Sequence, residues 1–312
     1  MRANRRVTVL QKHLLPEVNG PTTINPTASS AASYRGLLHN QVAVITGSGQ
    51  GVGASAAKLF ASEGASVVVT DIDATKSDAV AAEIEAAGGR AISFPGDVLA
   101  EDFPAKLIAA TLEAFGKLHI LVNNAGYTWD AVLHKTTTEQ WNAMLAVHCT
   151  APFRLIQAAE PAMRGAAKEE LAATGKAMPR CILNVSSTSG VHGNAGQANY
   201  STAKMGIVGL TKTIAKEWGG FNIRCNVLVF GAIKTRLIGD KTAGATMDIG
   251  GKQVALGIPG GADPDDMAIY AGCPMKRAGE PKEAAGSLLI LACEHASYIN
   301  GVALEVTGGS FL

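Results

Sequence analysis

Tyr200 and Lys204 stand four residues apart in a segment of helical character, so both side chains leave one helix face. A phenol is a weak acid with a pKa near ~10, and a neighbouring ammonium favours its phenolate form. The pair therefore suggests Tyr200 as a general acid or base near neutral pH, with Lys204 lowering its pKa. A Tyr/Lys pair at this spacing says little alone; its meaning depends on what lies nearby. Upstream, the apolar run Ile182–Val185 ends at Ser186 and Ser187. A serine at the C-terminal edge of a strand lies where parallel α/β sheets bind their ligands.

A second constellation opens the chain's regular part. The run Val42–Ile45 leads into Thr46, Gly47, Ser48, Gly49, Gln50, Gly51, Val52 and Gly53, and a helical stretch begins at Ala54. Glycines between a strand and a helix permit a tight turn and bring backbone N–H groups close to a pyrophosphate. The spacing is not the strict dinucleotide fingerprint, because Val52 occupies one of its positions, but the strand-to-helix context is the one that gives such a turn meaning. Asp71 ends the next apolar run, about 20 residues after Gly51, followed by Ile72. A carboxylate there can accept hydrogen bonds from ribose hydroxyls and would repel a 2′-phosphate. No Arg or Lys in Ser48–Gln50 counters it. The charge argument favours NAD over NADP.

These residues need a frame, and the rest of the chain describes one. The β-branched runs Val42–Ile45, Val67–Thr70, Ile120–Val122, Ile182–Val185 and Cys225–Val229 alternate with longer Ala-rich stretches of helical period. Such alternation implies parallel βαβ units. Runs apolar throughout imply strands covered on both faces. The expected fold is α/β: a single Rossmann-type, doubly wound parallel sheet of about seven strands with helices on both faces, over residues 40–312. Two segments look inserted, 165–179 and the Gly-rich 238–272, and both read as long connections of the kind that form lids or binding loops, with a disordered surface excursion as the alternative. Residues 1–39 hold Arg2, Arg5, Arg6, Lys12 and Arg35 against Glu17 alone, with a Pro/Ser/Thr-rich stretch. They read either as a transit peptide addressing the mitochondrial matrix or as a plain flexible extension of a cytoplasmic protein.

Bulk properties exclude other classes. With 312 residues, 47% of them hydrophobic, the chain can bury a large core. The net charge is +1, and because residues 1–39 are basic the remainder is slightly acidic, unlike a nucleic-acid groove. No apolar run reaches the roughly 18 residues that cross a bilayer. Five cysteines (Cys149, Cys181, Cys225, Cys273, Cys293) lack metal-ligand spacing and read as reduced, buried thiols; no metal is expected.

The motifs together resemble the short-chain dehydrogenase/reductase family, and within it the 3-oxoacyl-(acyl-carrier-protein) reductase branch. The matching stretches are Thr46–Gly53, Asp97-Val98, Asn123-Asn124-Ala125-Gly126, Ser187, Gly196 to Tyr200 with Lys204, Tyr298 to Gly301, and Val306 to Gly309. They occur in family order and span residues 40–312. The resemblance implies an oxidoreductase that interconverts a secondary alcohol and a ketone by hydride transfer, on a 3-hydroxyacyl/3-oxoacyl thioester, a steroid or another hydroxy compound. It implies that Ser187 bonds the substrate oxygen, Tyr200 exchanges its proton, and Lys204 binds the nicotinamide ribose. Asp97 and Val98 would hold the adenine, Asn123, Ala125 and Gly126 would line the ribose side, and Gly231, Ile233 and Thr235 would lie by the nicotinamide.

Two departures stand out. His148 occupies the place of the asparagine that completes the family's catalytic set, and Phe230 precedes Gly231 where a proline is usual. A histidine can donate or accept, which would allow a proton relay with a different pH dependence; a purely structural histidine is the alternative. These departures keep a second reading open, a catalytically silent dinucleotide-binding or scaffold subunit. A methyltransferase using the same glycine turn would have no use for the Tyr/Lys pair. The apolar positions Met205, Val208, Leu210 and Ile214 suggest a homotetramer or homodimer, with simple core packing as the alternative.

Overall fold

The computed structural model describes residues 36–236, 238, 246–249, 252–255 and 272–311. The proposed extension 1–39 and the Gly-rich segment 238–272 therefore lie mostly outside the described residues. Seven strands form one sheet: β1 (Val42–Thr46), β2 (Ser66–Thr70), β3 (Arg90–Ser93), β4 (Ile120–Asn123), β5 (Arg180–Ser187), β6 (Ile223–Phe230) and β9 (Ala303–Val306). Their order is β3-β2-β1-β4-β5-β6-β9, and every pairing is parallel. A separate antiparallel hairpin joins β7 (Thr246–Ile249) to β8 (Lys252–Ala255).

The five apolar runs became β1, β2, β4, β5 and β6, four of them buried at every position and β5 at all but two. Such runs cannot face water, so helices cover both sides. On one face, α1 (Gly51–Ser62), α2 (Ala74–Ala86) and α9 (Pro281–Ala292) pack Phe60, Ile84 and Leu288 against Ile45 and Val69. On the other, α3 (Phe103–Phe115), α5 (Ala151–Glu160) and α8 (Ala198–Trp218) pack Leu107, Leu155 and Trp218 against Val44 and Ile182. Each such fully buried side chain contributes about 1.5–3 kcal/mol of transfer free energy.

Chain order reverses beside β1, whose neighbours are β2 and β4. Crossovers leave that point in opposite directions and open a crevice beyond the strands' carboxyl ends.

One long helical rod feeds the site. It starts at α4 (Thr138–Leu145), where Thr137 and Gln140 form a reciprocal capping box. A π turn over Ala146–Thr150 leads into α5, and a second over Pro161–Gly165 leads into α6 (Ala166–Thr174). Pro152 and Pro161 have no N–H for the carbonyls four residues back, which are those of His148 and Gln157. The rod stops at Gly175, with φ +72. The expected connection 165–179 is thus largely helix rather than a loop. It sits at the amino end of β5, where Glu170 grips Arg180 in a two-bonded pair, and so it is no lid over the site.

Candidate active site

Strand β5 delivers Ser187 to the crevice. Its Oγ accepts the Ser189 N–H at 3.2 Å, capping the short helix α7 (Thr188–His192). Helix α8 presents Tyr200 and Lys204 on one face, both buried. Ser186 Oγ donates to the Lys204 carbonyl at 2.6 Å, and Lys204 Nζ donates to the Val185 carbonyl at 2.8 Å, so strand and helix are bonded where the side chains meet. Ser187, Tyr200, Lys204 and His148 line one cavity of about 610 Å³, with Gly126, Phe230, Gly231, Ile233 and Thr235 on its walls. The fold thus brings these four side chains to one cavity.

Its electrostatics differ from expectation. Burial pushes the Tyr200 phenol up to about 12; a hydrogen bond from Ser187 pulls it down, and the charge of Asp130 raises it further. Burial also brings Lys204 down to about 7. Burial therefore outweighs the lowering of the phenol expected from this lysine. Nζ lies 5.6 Å from the ring centroid and is bonded to the Val185 carbonyl, and desolvation, which disfavours both charged forms, dominates.

His148 sits in the first π turn, buried, with Nε2 2.8 Å from the Tyr127 carbonyl. Its ring meets the Tyr200 ring edge-on, centroids 5.1 Å apart at 86°. Burial and the charge of Lys204 hold its pKa well below the ordinary imidazole value. Gly126 lies flat against it, since a Cβ there would come within 2.2 Å of His148 Cε1.

The glycine turn divides into a back and a front. At the back, Thr46 Oγ1 accepts the N–H groups of Asn124 and Ala125, and Gly53 packs on the Gly47 carbonyl, which a Cβ would approach to 2.2 Å. Asn123 belongs there as well: its amide donates to Asn184 between strands (2.8 Å), so the side chain ties β4 to β5 rather than reaching into the groove. At the front, Gly49, Gln50 and Gly51 border a cleft, Val52 lines the main cavity, and a Cβ on Gly51 (φ +57) would stand 3.6 Å from the Thr235 methyl. Asp71 Oδ2 accepts the Gly49 N–H at 3.0 Å and Oδ1 accepts that of Asp73 at 3.1 Å, fixing the carboxylate at the lip, with Ile72 exposed beside it. Asp97 accepts the Leu99 N–H, holding the Asp97-Val98 corner. Glycine-rich turn, oriented acid and open groove fit a dinucleotide.

Two side chains at the cavity were not singled out from the sequence. Gln197 donates to Asp130 Oδ2 at 2.8 Å and is itself held by Asn194. A parallel bridge joins Ala131 to Gln197, so two loops close one wall. Asp130 lies in a stretch without periodicity, where its role had no local signal. Among the described residues, no group of three or more His, Cys, Asp or Glu could hold a metal.

Residues 41–245 match the short chain dehydrogenase family profile. The chain is 32% identical over 272 residues to a 3-oxoacyl-[acyl-carrier-protein] reductase of Thermotoga maritima, covering 87% of this chain and 98% of that one. It is 35% identical to a 2,5-dichloro-2,5-cyclohexadiene-1,4-diol dehydrogenase of Sphingobium indicum, over 87% and 96% of the two chains. To the Drosophila melanogaster peroxisomal multifunctional enzyme type 2 it is 41% identical over 198 residues, 61% of this chain and 31% of that one. The fold, the shared cavity and these likenesses agree: the chain belongs to the short-chain dehydrogenase/reductase family and is a nicotinamide-dinucleotide-dependent oxidoreductase of alcohols and ketones.

Proposed function

We propose that this enzyme uses NAD(H) and acts on a 3-hydroxyacyl/3-oxoacyl thioester. The observation behind the cofactor choice is Asp71, whose carboxylate is pinned at the lip of the turn by two backbone N–H groups. A 2′-phosphate there would meet a fixed negative charge. The nearest lysine of α2, Lys76, is paired with Asp73. The substrate class draws on the relatives named for 3-oxoacyl reduction.

The bound dinucleotide supplies the hydride acceptor or donor. Ser187 Oγ holds the substrate oxygen and Tyr200 exchanges a proton with it, while Lys204, tied to the Val185 carbonyl, is placed for the cofactor's ribose. A phenol raised to about 12 is protonated at neutral pH and ready to donate to a ketone oxygen. Alcohol oxidation requires the phenolate, so its rate rises with pH toward the alkaline side.

Fluorescence titration with NADH and NADPH tests the cofactor: NADH binds more tightly, and Asp71→Ala narrows the difference. Tighter NADPH binding by the unaltered protein defeats the charge argument. Turnover of a thioester, alcohol and ketone panel tests the chemistry. Tyr200→Phe loses 10²–10⁴-fold in kcat with NADH affinity little changed; equal rates would favour the silent-scaffold reading.

Exposed Met205 on α8 and Phe153 on α5 support self-association, read by light scattering, whereas Val208 and Ile214 are ordinary core. The free thiols, four of the five buried, support a reducing compartment, cytoplasm or mitochondrial matrix.

A further inference from the structure

Helix α7 is five residues long, too short to hold its shape alone, so its position is set by what touches it. That position matters to the cavity, because Ser187, Thr188 and Ser189 all line its wall. Ser187 Oγ accepts the Ser189 N–H, so the oxygen that meets the substrate is tied to this helix. On its inner side, Gly190 lies flat against α8. A Cβ there would come within 2.8 Å of the Lys204 carbonyl carbon and 2.9 Å of Lys204 Cβ. Helix α7 is therefore seated on the backbone that carries Lys204.

Its last residue is gripped from the C-terminal tail. His192 Nε2 lies 3.1 and 3.2 Å from the two carboxylate oxygens of Glu305 on β9, and a carboxylate only accepts, so Nε2 carries a proton. The imidazole face stacks on Phe311, with ring centroids 4.4 Å apart and planes 6° from parallel. Burial does not explain that ring's place, because Phe311 is more than half exposed. Its φ of +68 is a conformation that a bulky residue adopts rarely.

The path to Phe311 is fixed as well. The Gly231 N–H donates to the Val306 carbonyl at 3.1 Å, and the Met275 N–H donates to the Gly308 carbonyl at 3.2 Å. Gly308 and Gly309, with φ +64 and +87, supply the left-handed turn between β9 and Phe311, and Thr307 Oγ1 donates to the Ser310 carbonyl at 3.2 Å. The tail thus joins two walls of one cavity, Gly231 on one side and the helix after Ser187 on the other.

Resting on the oxidoreductase reading above, we propose that residues 305–311 form a clasp whose teeth are Glu305, Phe311 and His192. His192 and Phe311 are positioning residues: they press α7 onto the Lys204 backbone and so fix the direction of Ser187 Oγ. Neither touches the substrate or exchanges a proton with it.

The full chain in complex with NADH provides the test. Backbone amide exchange over residues 187–192 is followed by mass spectrometry, beside kcat and KM on the compound that the unaltered protein turns over best. Phe311→Ala should speed exchange in that stretch about threefold or more and leave the central strands unchanged. It should lower kcat about fivefold or more, with NADH affinity within about twofold. Phe311→Tyr, which keeps a ring to stack, should restore both. His192→Ala should match Phe311→Ala, and the double variant should be little worse than either, because the two rings act as one contact. Unchanged exchange in Phe311→Ala overturns the clasp, as do effects of the two substitutions that simply multiply. Faster exchange throughout the sheet overturns local positioning and leaves only a general stabilising role. Exchange requires no turnover, so a protein that turns over none of the panel defeats the oxidoreductase reading while the clasp is still decided by exchange. If Phe311→Ala fails to fold, His192→Gln, which keeps a donor for Glu305 but no ring, must speed the same exchange or the proposal falls.

Discussion

At the scale of single residues, charge and burial compete at Tyr200, and burial wins. Asp130 adds to the rise in its pKa, which leads to a prediction. Asp130→Asn can still accept the Gln197 N–H through its side-chain oxygen, so the loop wall persists while the charge goes. The phenol pKa falls, and the rise of alcohol oxidation with pH moves to lower pH, read from a pH–rate profile. An unmoved profile would show that Asp130 only joins loops. The identities of Ser187, Tyr200 and Lys204 were legible in the sequence because helix period and strand end dictate where they point. The direction of the phenol's shift was not. It depends on desolvation by distant segments, which no local spacing reports. Asn123 misled for a related reason: its place at a strand's end was clear, but its partner Asn184 lies on the neighbouring strand.

Elements carry the next layer. The rod from α4 to α6 bends at two π turns, and the first sets the imidazole beside the phenol. Gly126→Ala tests this packing, since the new carbon would lie 2.2 Å from His148 Cε1 and the ring is buried too tightly to yield. Turnover falls by about tenfold or more and the unfolding midpoint drops by a few degrees; a fully active variant would show that the ring can move. Continuous apolar runs revealed the five central strands. Strands β3 and β9 leave little trace in the sequence because edge strands are half covered, and their burial patterns carry no continuous apolar signature. Residues 165–179 are ambiguous in the sequence because Lys, Glu and Ala suit an exposed helix as well as a loop. What decided was the turn at Pro161 and the anchor between Glu170 and Arg180.

The molecule as a whole has an acid weakness away from its cavity. His119, just before β4, is buried and accepts the Val42 N–H on Nδ1 at 3.0 Å, and burial brings its pKa down to about 4. The unfolded chain binds a proton at this residue near pH 6.5 and the folded one only near 4. Its stabilising effect is therefore complete above 6.5 and is lost as pH falls toward 4, by about 3 kcal/mol. Urea midpoints should fall across that window. His119→Asn, whose side-chain oxygen can accept the same N–H, should flatten the fall; an equal fall in both proteins would place the cause elsewhere.

Every strand of the main sheet points the same way, so the molecule has two unlike ends. Loops after the strands hold the glycine turn, Asp71, Ser187 and the segment Gly231–Thr235. The opposite end holds His119, the Glu170–Arg180 pair and the cap that Arg224 places on the carbonyls of Leu291, Ala292 and Cys293. One pole is where reactions are tuned and the other is where durability is set. Changes confined to the durable pole can harden the enzyme, or anchor it to a support, without touching the chemistry some strand-lengths away.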